Sequence, residues 1–525
     1  MKTTKSIILL AGLSMSLTNC SDFLDQPVLG ENANTPAYYN SIDNANMAVM
    51  ACYNGLVYEN KTSTFQWMYG DVMSDDAWKG GESAGDADDI QFLKDWNTLS
   101  TNIYLQNTWT AYYTAIFRAN TVIKELPNAT FDEATKKQYI AEAKFIRAYS
   151  YLMLVKLFGD IPLSKEPLEA SQAGKLGRAP FEEVLDLINQ DLTDAAQDLP
   201  KSYETGQIGR VTTGAAKALH ARALMYEIGI FKNKDDKAWQ DVYNLTSDII
   251  KSGTYHLLAN YAQIFENEGE NSTESIFELQ FKTTNTGYNF DNQGNASSIY
   301  VANRGTTDMP EWGWGFNCPT QNLVDEFESQ DPRLYCTVHG NGITDYAYGA
   351  KQEVAKLSHL TGYQARKLAI DPAIRPSNQS DSPFNERIIR YSDVLLMCAE
   401  AAYHLGNEAE ARLYVNEVRQ RARTSTYPKG YEMNSTAYTP TGFTNNLPDI
   451  TASGNDLLKA IKHERRVEFG MEALRYWDLL RWGDYRATLS DAVKARFDKS
   501  LLRGVPVLQI PNSEVVSWGL EQNPN

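Results

Sequence analysis

Two short motifs contain residue types that could act as a nucleophile or as zinc ligands. Residues 81–85 read GESAG and match the GxSxG pattern of serine hydrolases. That pattern needs a buried strand before the serine and a helix directly after it, whereas the flanking sequences DDAWKG and DADD predict a polar loop. Residues 463–467 read HERRV, so a valine replaces the second zinc-binding histidine of HExxH. Neither motif predicts catalysis.

The charge of the chain argues against a nucleic-acid partner. The 525 residues include 49 Lys and Arg against 66 Asp and Glu, for a net charge of −17. A nucleic-acid-binding protein needs a basic surface that neutralises phosphates. The six histidines are scattered without the spacing of metal ligands, and no glycine-rich phosphate-binding loop occurs. We therefore predict no nucleic acid, no metal and no cofactor.

The N-terminus predicts export and a lipid anchor. Two lysines precede the mostly apolar stretch 7–17, which is too short to span a bilayer and is typical of a signal peptide. It ends in LTNC, a lipobox-like sequence in which Cys20 would be acylated, although Asn19 replaces the usual small residue. A plain secretory signal with an incidental cysteine is the alternative. We predict a signal peptide over 1–19 and a lipidated tether over 20–34.

The four remaining cysteines form no CxxC pair, so they predict neither zinc binding nor a redox motif. Cys52 and Cys398 lie in apolar helical patterns and are interpreted as core residues. Whether Cys318 and Cys336 form a disulfide is left open by the sequence.

Apolar residues recur at helical spacing along most of the chain. The pattern predicts helices over 142–158, 180–199 and 212–228, and a C-terminal pair over 388–405 and 408–422. That pair, with its short glycine turn, is similar to a TPR unit, and weaker helical runs occur near 38–58 and 103–126. The predicted fold is therefore all-α, a TPR-like helical superhelix that carries long irregular loops.

Four irregular stretches separate these helices, at about 60–100, 268–320, 337–385 and 425–452. They are rich in Gly, Asn, Thr, Tyr and Trp. Segments of this length in a compact protein are either functional or disordered, and their aromatic content favours order. We therefore expect ligand-binding residues on these loops.

Several sequence blocks follow one another along the chain. They are CSDFLD (20–25), AEAKFIRAYSY (141–151), LFGDIP (157–162), RYSDVLLMCAEA (390–401), NEVRQRA (416–422), ERRVEF (464–469) and RYWDLLRW (475–482). Together they resemble the SusD/RagB family of outer-membrane lipoproteins. Most of these blocks are interpreted as scaffold, in which Arg147, Arg390 and the charges of 464–482 form ion pairs while Phe469, Leu474 and Trp477 pack inward.

The resemblance implies a cell-surface lipoprotein, anchored in the outer membrane, that catalyses nothing. It implies capture of an oligosaccharide, or in some members a peptide, and a role as the lid of a SusC-like TonB-dependent transporter. It also implies an N-terminal helical region over 35–260 and a C-terminal region with ligand loops over 261–525.

Residues suited to sugar binding occur in two of the irregular stretches. Aromatic faces pack against the C–H patches of a sugar, while neighbouring polar groups bond its hydroxyls. The first segment holds Trp78, Trp96 and Asn97, and the second holds Tyr288, Tyr300, Arg304, Asp308, Trp312 and Trp314. Trp314 is equally suited to a core position.

Two other classes of function remain open. A surface glycoside hydrolase would show a buried pair of carboxylates in a cleft. A TPR-like adaptor would show a bare concave helical groove. Converging exposed aromatic faces would favour the glycan-binding class, but the identity of the glycan or peptide cannot be read from the sequence.

Overall fold

The computed structural model describes residues 37–61, 64–168, 174–284, 293–303, 313–344, 346–351 and 361–525. Over these residues the chain is mostly helical, and its short strands form two-stranded antiparallel pairs. The predicted all-α class is confirmed.

The helices are α1 (Ile42–Lys61), α2 (Asp88–Lys94), α3 (Ile103–Glu125), α4 (Glu133–Phe158), α5 (Phe181–Asp198), α6 (Thr213–Tyr226), α7 (Trp239–Lys251), α8 (Ser297–Val301), α9 (Gln321–Glu326), α10 (Pro332–Thr337), α11 (Tyr391–His404), α12 (Glu408–Arg423), α13 (Gly454–Phe469), α14 (Arg475–Trp482), α15 (Tyr485–Thr488), α16 (Asp491–Lys499) and α17 (Asn512–Trp518). The strands are β1 (Ala77–Gly80), β2 (Ile161–Pro162), β3 (Arg178–Ala179), β4 (Ser275–Leu279), β5 (Phe316–Pro319), β6 (Val338–His339), β7 (Tyr346–Ala347), β8 (Ala350–Lys351), β9 (Gln364–Ala365), β10 (Glu386–Arg390), β11 (Leu501–Leu502) and β12 (Val505–Pro506).

Successive long helices pack side by side. Helix α1 contacts α3, and from α3 to α7 each long helix contacts the next; α7 then contacts α11, and α11 contacts α12 and α13. This succession is the predicted TPR-like arrangement. None of the described helices combines the length and apolarity needed to cross a membrane.

Local signals account for the ends of the long helices. The Asn102 side chain accepts hydrogen bonds from the first turn of α3, and Asp132 caps α4 in the same way. Gly159 ends α4 with a φ of +69°, and the following strand contains Pro162. The helices predicted over 180–199 and 212–228 are confirmed as α5 and α6.

The helix predicted over 388–405 begins later than expected. Helix α11 starts at Tyr391, and the preceding residues form β10, which pairs antiparallel with β4. Ile388 and Ile389 are buried on this strand pair. Their apolar character fits either a helix or a strand, and the partner strand lies more than a hundred residues earlier, so local periodicity predicted the wrong element here.

The four cysteines after Cys20 are buried and free, whereas Cys20 lies outside the described residues. Cys52 and Cys398 are core residues, as predicted. The Sγ of Cys318 donates to the carbonyl of Gly315 at 3.2 Å, while Cys336 packs in a separate cluster with Tyr261. The disulfide that the sequence left open therefore does not form.

The charges of α13 belong to a buried network of ion pairs. Glu468 accepts hydrogen bonds from Arg333 at 3.2 Å, Arg390 at 3.0 Å and Arg421 at 2.5 Å. All four side chains are at most 3% exposed. Phe469 and Trp477 are buried in the core and Leu474 is partly buried against it, so the scaffold interpretation is confirmed. The pairing of Arg147 is also confirmed, because Asp191 accepts from its Nε and Nη2 atoms, each at 2.8 Å.

Because His339 is buried, we expect the folded protein to lose stability as pH falls. Its side chain is fully buried, neither ring nitrogen has a partner among the described residues, and burial lowers its pKa to about 3. An unfolded chain protonates this histidine near its ordinary pKa, so its contribution to stability decreases as pH falls below about 6.5. Relative to wild type, H339L should therefore gain roughly 2 kcal/mol in free energy of unfolding between pH 7 and pH 5.

Urea unfolding of both proteins across this pH range measures the difference between their free energies of unfolding. Groups that titrate in both proteins affect both values equally, so their contributions cancel in this difference. H256Q, at an exposed histidine, is the control and should follow wild type at every pH. A constant difference between H339L and wild type would contradict the prediction.

Candidate ligand-binding site

The antiparallel pair β1–β5 brings the two predicted ligand segments together. Trp78 lies opposite Cys318, and Gly80 lies opposite Phe316. The pairing continues on both sides, because the N–H of Gly81 donates to the carbonyl of Gly315 at 2.9 Å and that of Thr320 donates to Asp76 at 2.8 Å. Segments about 240 residues apart in sequence thus share one small sheet.

A second backbone contact positions Tyr300 next to Trp314. The N–H of Trp314 donates to the carbonyl of Ile299 at 2.8 Å, and that of Gly315 donates to Ala302 at 3.0 Å. As a result, the ring centres of Tyr300 and Trp314 lie 4.5 Å apart, edge to face.

Five rings meet at this position, and we call them the aromatic cluster: Phe65, Trp67, Tyr300, Trp314 and Phe316. Phe65 stacks on Trp67 at 5.6 Å and meets the ring of Tyr300 at 4.8 Å. Phe65, Trp67 and Phe316 are buried, whereas Tyr300 and Trp314 are partly exposed. The cluster therefore has a packed base and a solvent-facing side.

Trp78 adds a more exposed ring beside the cluster. It is 48% exposed, whereas the other three residues of β1 are buried. The Nζ atom of Lys94 lies 5.0 Å from the ring centre and also donates to the carbonyls of Val72, Ser74 and Ala77. Burial lowers the pKa of Lys94 to about 8. Lys94 therefore fixes the turn that carries Trp78 and supports its ring.

Trp96 does not belong to this surface. It is 4% exposed, its indole N–H donates to the hydroxyl of Tyr485 at 2.7 Å, and its ring packs against Phe497 at 5.0 Å. No face of Trp96 is available to a ligand, because residues from α15 and α16 cover it. Asn97 is exposed but follows this buried ring in the chain.

The other predicted ligand residues are Tyr288, Arg304, Asp308 and Trp312, and all four lie outside the described residues. Their assignment to the site stays a prediction. Of the described residues that flank them in sequence, Tyr300 and Trp314 belong to the aromatic cluster.

Phe65 and Trp67 were not predicted from the sequence. They precede a π-helical turn, Met68–Val72, which is held to the rest of the site by Asp71. The carboxylate of Asp71 accepts from the N–H of Ala473 at 2.8 Å and from the side-chain amide of Asn317 at 3.0 Å. Burial raises the pKa of Asp71 to about 7, against the effect of these two hydrogen bonds.

The GESAG stretch is a loop, but its flanks are not the polar loop that the sequence predicted, because residues 77–80 form the mostly buried strand β1 and α2 begins at Asp88. The Nζ atom of Lys79 donates to the carbonyls of Ser83 at 3.0 Å and Ala84 at 3.2 Å, and also to that of Asp86. These bonds wrap residues 81–87 around a lysine and leave Ser83 exposed on the outside of the loop. No group of three or more metal-ligating side chains occurs among the described residues.

Gly80 is required for the close approach of β1 and β5. Its φ is +75°, and a Cβ atom there would lie 2.1 Å from the carbonyl oxygen of Gly315. G80A should therefore lower the free energy of unfolding by about 2 kcal/mol or more, through strain and loss of strand pairing. Urea unfolding measures this loss.

Gly85, in the adjoining loop, is the matched control, because no atom lies within 4 Å of a Cβ built there. G85A should unfold within about 0.5 kcal/mol of wild type. Equal stability of G80A and G85A would contradict the role given to Gly80.

Two family models match the chain. The SusD family model matches residues 273–501, and a model described as starch-binding associating with outer membrane matches residues 22–225. The chain belongs to the SusD/RagB family. The two matched ranges lie on either side of 226–272 and contain both strands of the β1–β5 pair.

Relatives within the SusD/RagB family agree in sequence and in fold. The SusD-like protein P25 of Formosa agariphila is 28% identical over 408 residues, which cover 72% of this chain and 70% of that protein. Surface glycan-binding protein A from Bacteroides fluxus superposes with a TM-score of 0.75 at 26% identity, covering 92% of this chain and 99% of its own. A laminarin binding SusD-like protein superposes with a TM-score of 0.74 at 27% identity, with the same coverage.

Proposed function

We propose that this SusD/RagB-family protein binds an oligosaccharide at the aromatic cluster and Trp78. The observation that carries the proposal is the β1–β5 pairing, which places the strand of exposed Trp78 beside the segment that leads to the partly exposed Trp314 and its partner ring Tyr300. Aromatic faces of this kind pack against the C–H patches of sugars, and nearby polar groups bond the hydroxyls.

The charges around the site favour a neutral ligand. Lys79, which follows Trp78 in the chain, and Lys94, which lies over its ring, both donate to main-chain carbonyls. Asp86 and Asp89 accept hydrogen bonds from the backbone N–H groups of Glu82 and Ile103. Because these four groups already have partners, they favour stacking of a neutral sugar on the rings over pairing with a charged ligand.

The comparisons support the same ligand class. One similar structure is of a protein named for laminarin binding, and another is of a protein named as a surface glycan-binding protein. We extend this class, but not the particular glycan, to the present chain. Peptide binding is the alternative, and it predicts binding of peptides in place of sugars at the same surface.

The finer parts of the proposal concern the cell. Acylation of Cys20 would anchor the protein in the outer membrane with its ligand site at the cell surface. There it would hold the sugar as the lid of a SusC-like TonB-dependent transporter, and it would carry out no catalysis. The name of one matching family model, which refers to association with the outer membrane, supports this location.

A groove beside α1 is our candidate for the transporter contact. Its volume is about 960 Å³, and its lining combines polar and charged residues with the aliphatic Ile42, Met47, Met50 and Ile208, which are 36–54% exposed. Exposed aliphatic side chains gathered at one groove are typical of a protein–protein contact. Introducing charge with M47E/M50E should abolish copurification with the transporter from detergent and leave glycan affinity unchanged.

V516E is the control, because Val516 is 75% exposed on α17 and outside the groove. It should copurify as wild type does. Copurification of M47E/M50E at the wild-type level would contradict the assignment of the groove.

Calorimetry of the soluble form, from Ser21 onward, against a panel of neutral oligosaccharides and peptides tests the proposed function. We expect saturable binding of at least one oligosaccharide and no release of product. Binding of peptides alone would contradict the sugar assignment, and released reducing ends would contradict the absence of catalysis.

A further inference from the structure

A second group of aromatic rings lies far along the chain from the aromatic cluster. It is formed by Tyr427, Tyr431 and Phe443, from the segment between α12 and α13, together with Tyr335 of α10; we call these four residues the tyrosine platform. Tyr427 and Tyr431 are stacked, with ring centres 3.9 Å apart and planes 3° apart. Tyr335 meets both rings edge-on, at 4.9 and 5.7 Å.

The backbone holds the platform in place. The N–H of Tyr427 donates to the carbonyl of Thr439 at 2.9 Å, and that of Gly430 donates to Ala437 at 3.0 Å. Gly430 also accepts from the N–H of Gly349, and a Cβ on Gly430 would lie 2.2 Å from the Cα of Tyr348. A ligand would therefore find the rings already positioned, and little entropy would be lost in ordering them.

The four rings are partly exposed and are not core residues. The Tyr335 and Tyr427 hydroxyls have no hydrogen-bond partner among the described residues, and burial together with the neighbouring Tyr427 phenol raises the pKa of Tyr335. Exposed Asn434 and Asn445 adjoin the rings in sequence. Aromatic faces bordered by phenol hydroxyls and amides form the same combination of groups that suits a sugar at the aromatic cluster.

Apart from exposed Glu432, which follows Tyr431 in the chain, the charges next to the platform have partners of their own. Lys429 pairs with Asp371 at 3.2 Å, and the hydroxyl of Tyr438 donates to Glu268 at 2.6 Å. On α10, Arg333 is fully buried and paired with Asp331 at 2.8 Å. A charged ligand would therefore find little to bond, whereas a neutral sugar ring would find stacking surface and hydroxyl partners.

We infer that the tyrosine platform is a second saccharide-binding site, which takes a pyranose unit from another part of the same neutral polysaccharide. The inference rests on the proposed function, since it extends the same ligand class to a second surface. The platform and the aromatic cluster are built from different segments of the chain. Two separate sites on one chain would raise the affinity for a polymer that spans both, without raising the affinity for a short oligosaccharide.

The test compares Y427A/Y431A with Y427F/Y431F in the full mature protein. Affinity electrophoresis in gels containing the polysaccharide measures polymer binding, and calorimetry with a hexasaccharide of the same sugar measures binding at the aromatic cluster. Thermal unfolding and near-ultraviolet circular dichroism check the fold of both variants.

We expect Y427A/Y431A to lose polymer affinity by about tenfold or more, while hexasaccharide affinity at the aromatic cluster stays at the wild-type value. Y427F/Y431F keeps the stacked rings and should lose no more than about threefold. Wild-type polymer affinity in Y427A/Y431A would overturn the second site and leave the proposed function standing. Absence of any glycan binding by the wild-type protein would overturn both.

Discussion

E468Q is expected to lower the free energy of unfolding by about 3–5 kcal/mol, the usual cost of removing one partner from a buried ion pair. Although burial opposes ionisation, Arg421, Arg390 and Arg333 lower the pKa of Glu468 to about 2. A glutamine has nearly the same shape but no charge. The substitution would leave three buried guanidinium groups with one carboxylate fewer. The NH2 group of the glutamine, itself a hydrogen-bond donor, would face guanidinium N–H groups that are also donors.

The same network makes the protein sensitive to acid. The folded pKa of Glu468 lies below its ordinary value, so the stability that it contributes is present above about pH 4.5 and is lost as pH falls towards 2. Urea unfolding at pH 7 measures the effect of E468Q. D498N is the matched control, because Asp498 forms an exposed pair with Arg486 at 2.7 Å and should contribute little. A loss in E468Q no larger than that in D498N would contradict the structural role of the network.

W78A is expected to weaken binding of the best oligosaccharide by roughly thirtyfold, or about 2 kcal/mol, the loss typical of a central aromatic contact. Trp78 is 48% exposed on β1, and its ring is supported by Lys94 on one side. Removing the ring would leave β1 paired with β5, since that pairing uses the backbone. The free energy of unfolding should therefore change little while affinity falls.

F117A is the matched control for W78A. Phe117 is also 48% exposed, but it lies on α3, about 20 Å along the helix from Tyr104, whose pKa is raised by burial and by the nearby Tyr300 phenol. Calorimetry should give F117A the wild-type affinity. Equal losses in the two variants would show a general effect of exposed rings and would contradict a site at Trp78.

The helical frame could be predicted from the sequence because its signals are local. The sequence predicts the end of α4 at Gly159, where the structure has it, but the helix begins at Glu133 and not at the predicted residue 142. The cap at Asp132 is also a local signal, and it was missed. Helix α11 shows the limit of this reasoning. Its start depends on the pairing of β10 with β4, which involves residues far apart in the sequence.

The candidate site was harder to predict for the same reason. Trp78 and Trp96 are the same residue type and lie in one loop segment, but only the packing of α15 and α16, about 390 residues later, buries Trp96. Phe65 belongs to the site through its ring contact with Tyr300, and Trp67 through stacking on Phe65 and a hydrogen bond from its indole to Ser297. Such long-range contacts leave no local pattern.

The position of the bound sugar is the most direct test of whether the aromatic cluster and Trp78 form the glycan-binding site. Hydrogen–deuterium exchange of the mature protein, with and without a saturating short oligosaccharide from the binding panel, measures it. We predict slower exchange in peptides covering Ala77–Gly80, 297–303 and 313–319, and unchanged exchange along the groove beside α1. Unchanged exchange at β1 and β5, with slower exchange along that groove, would contradict the assignment of the aromatic cluster and Trp78 as the glycan-binding site.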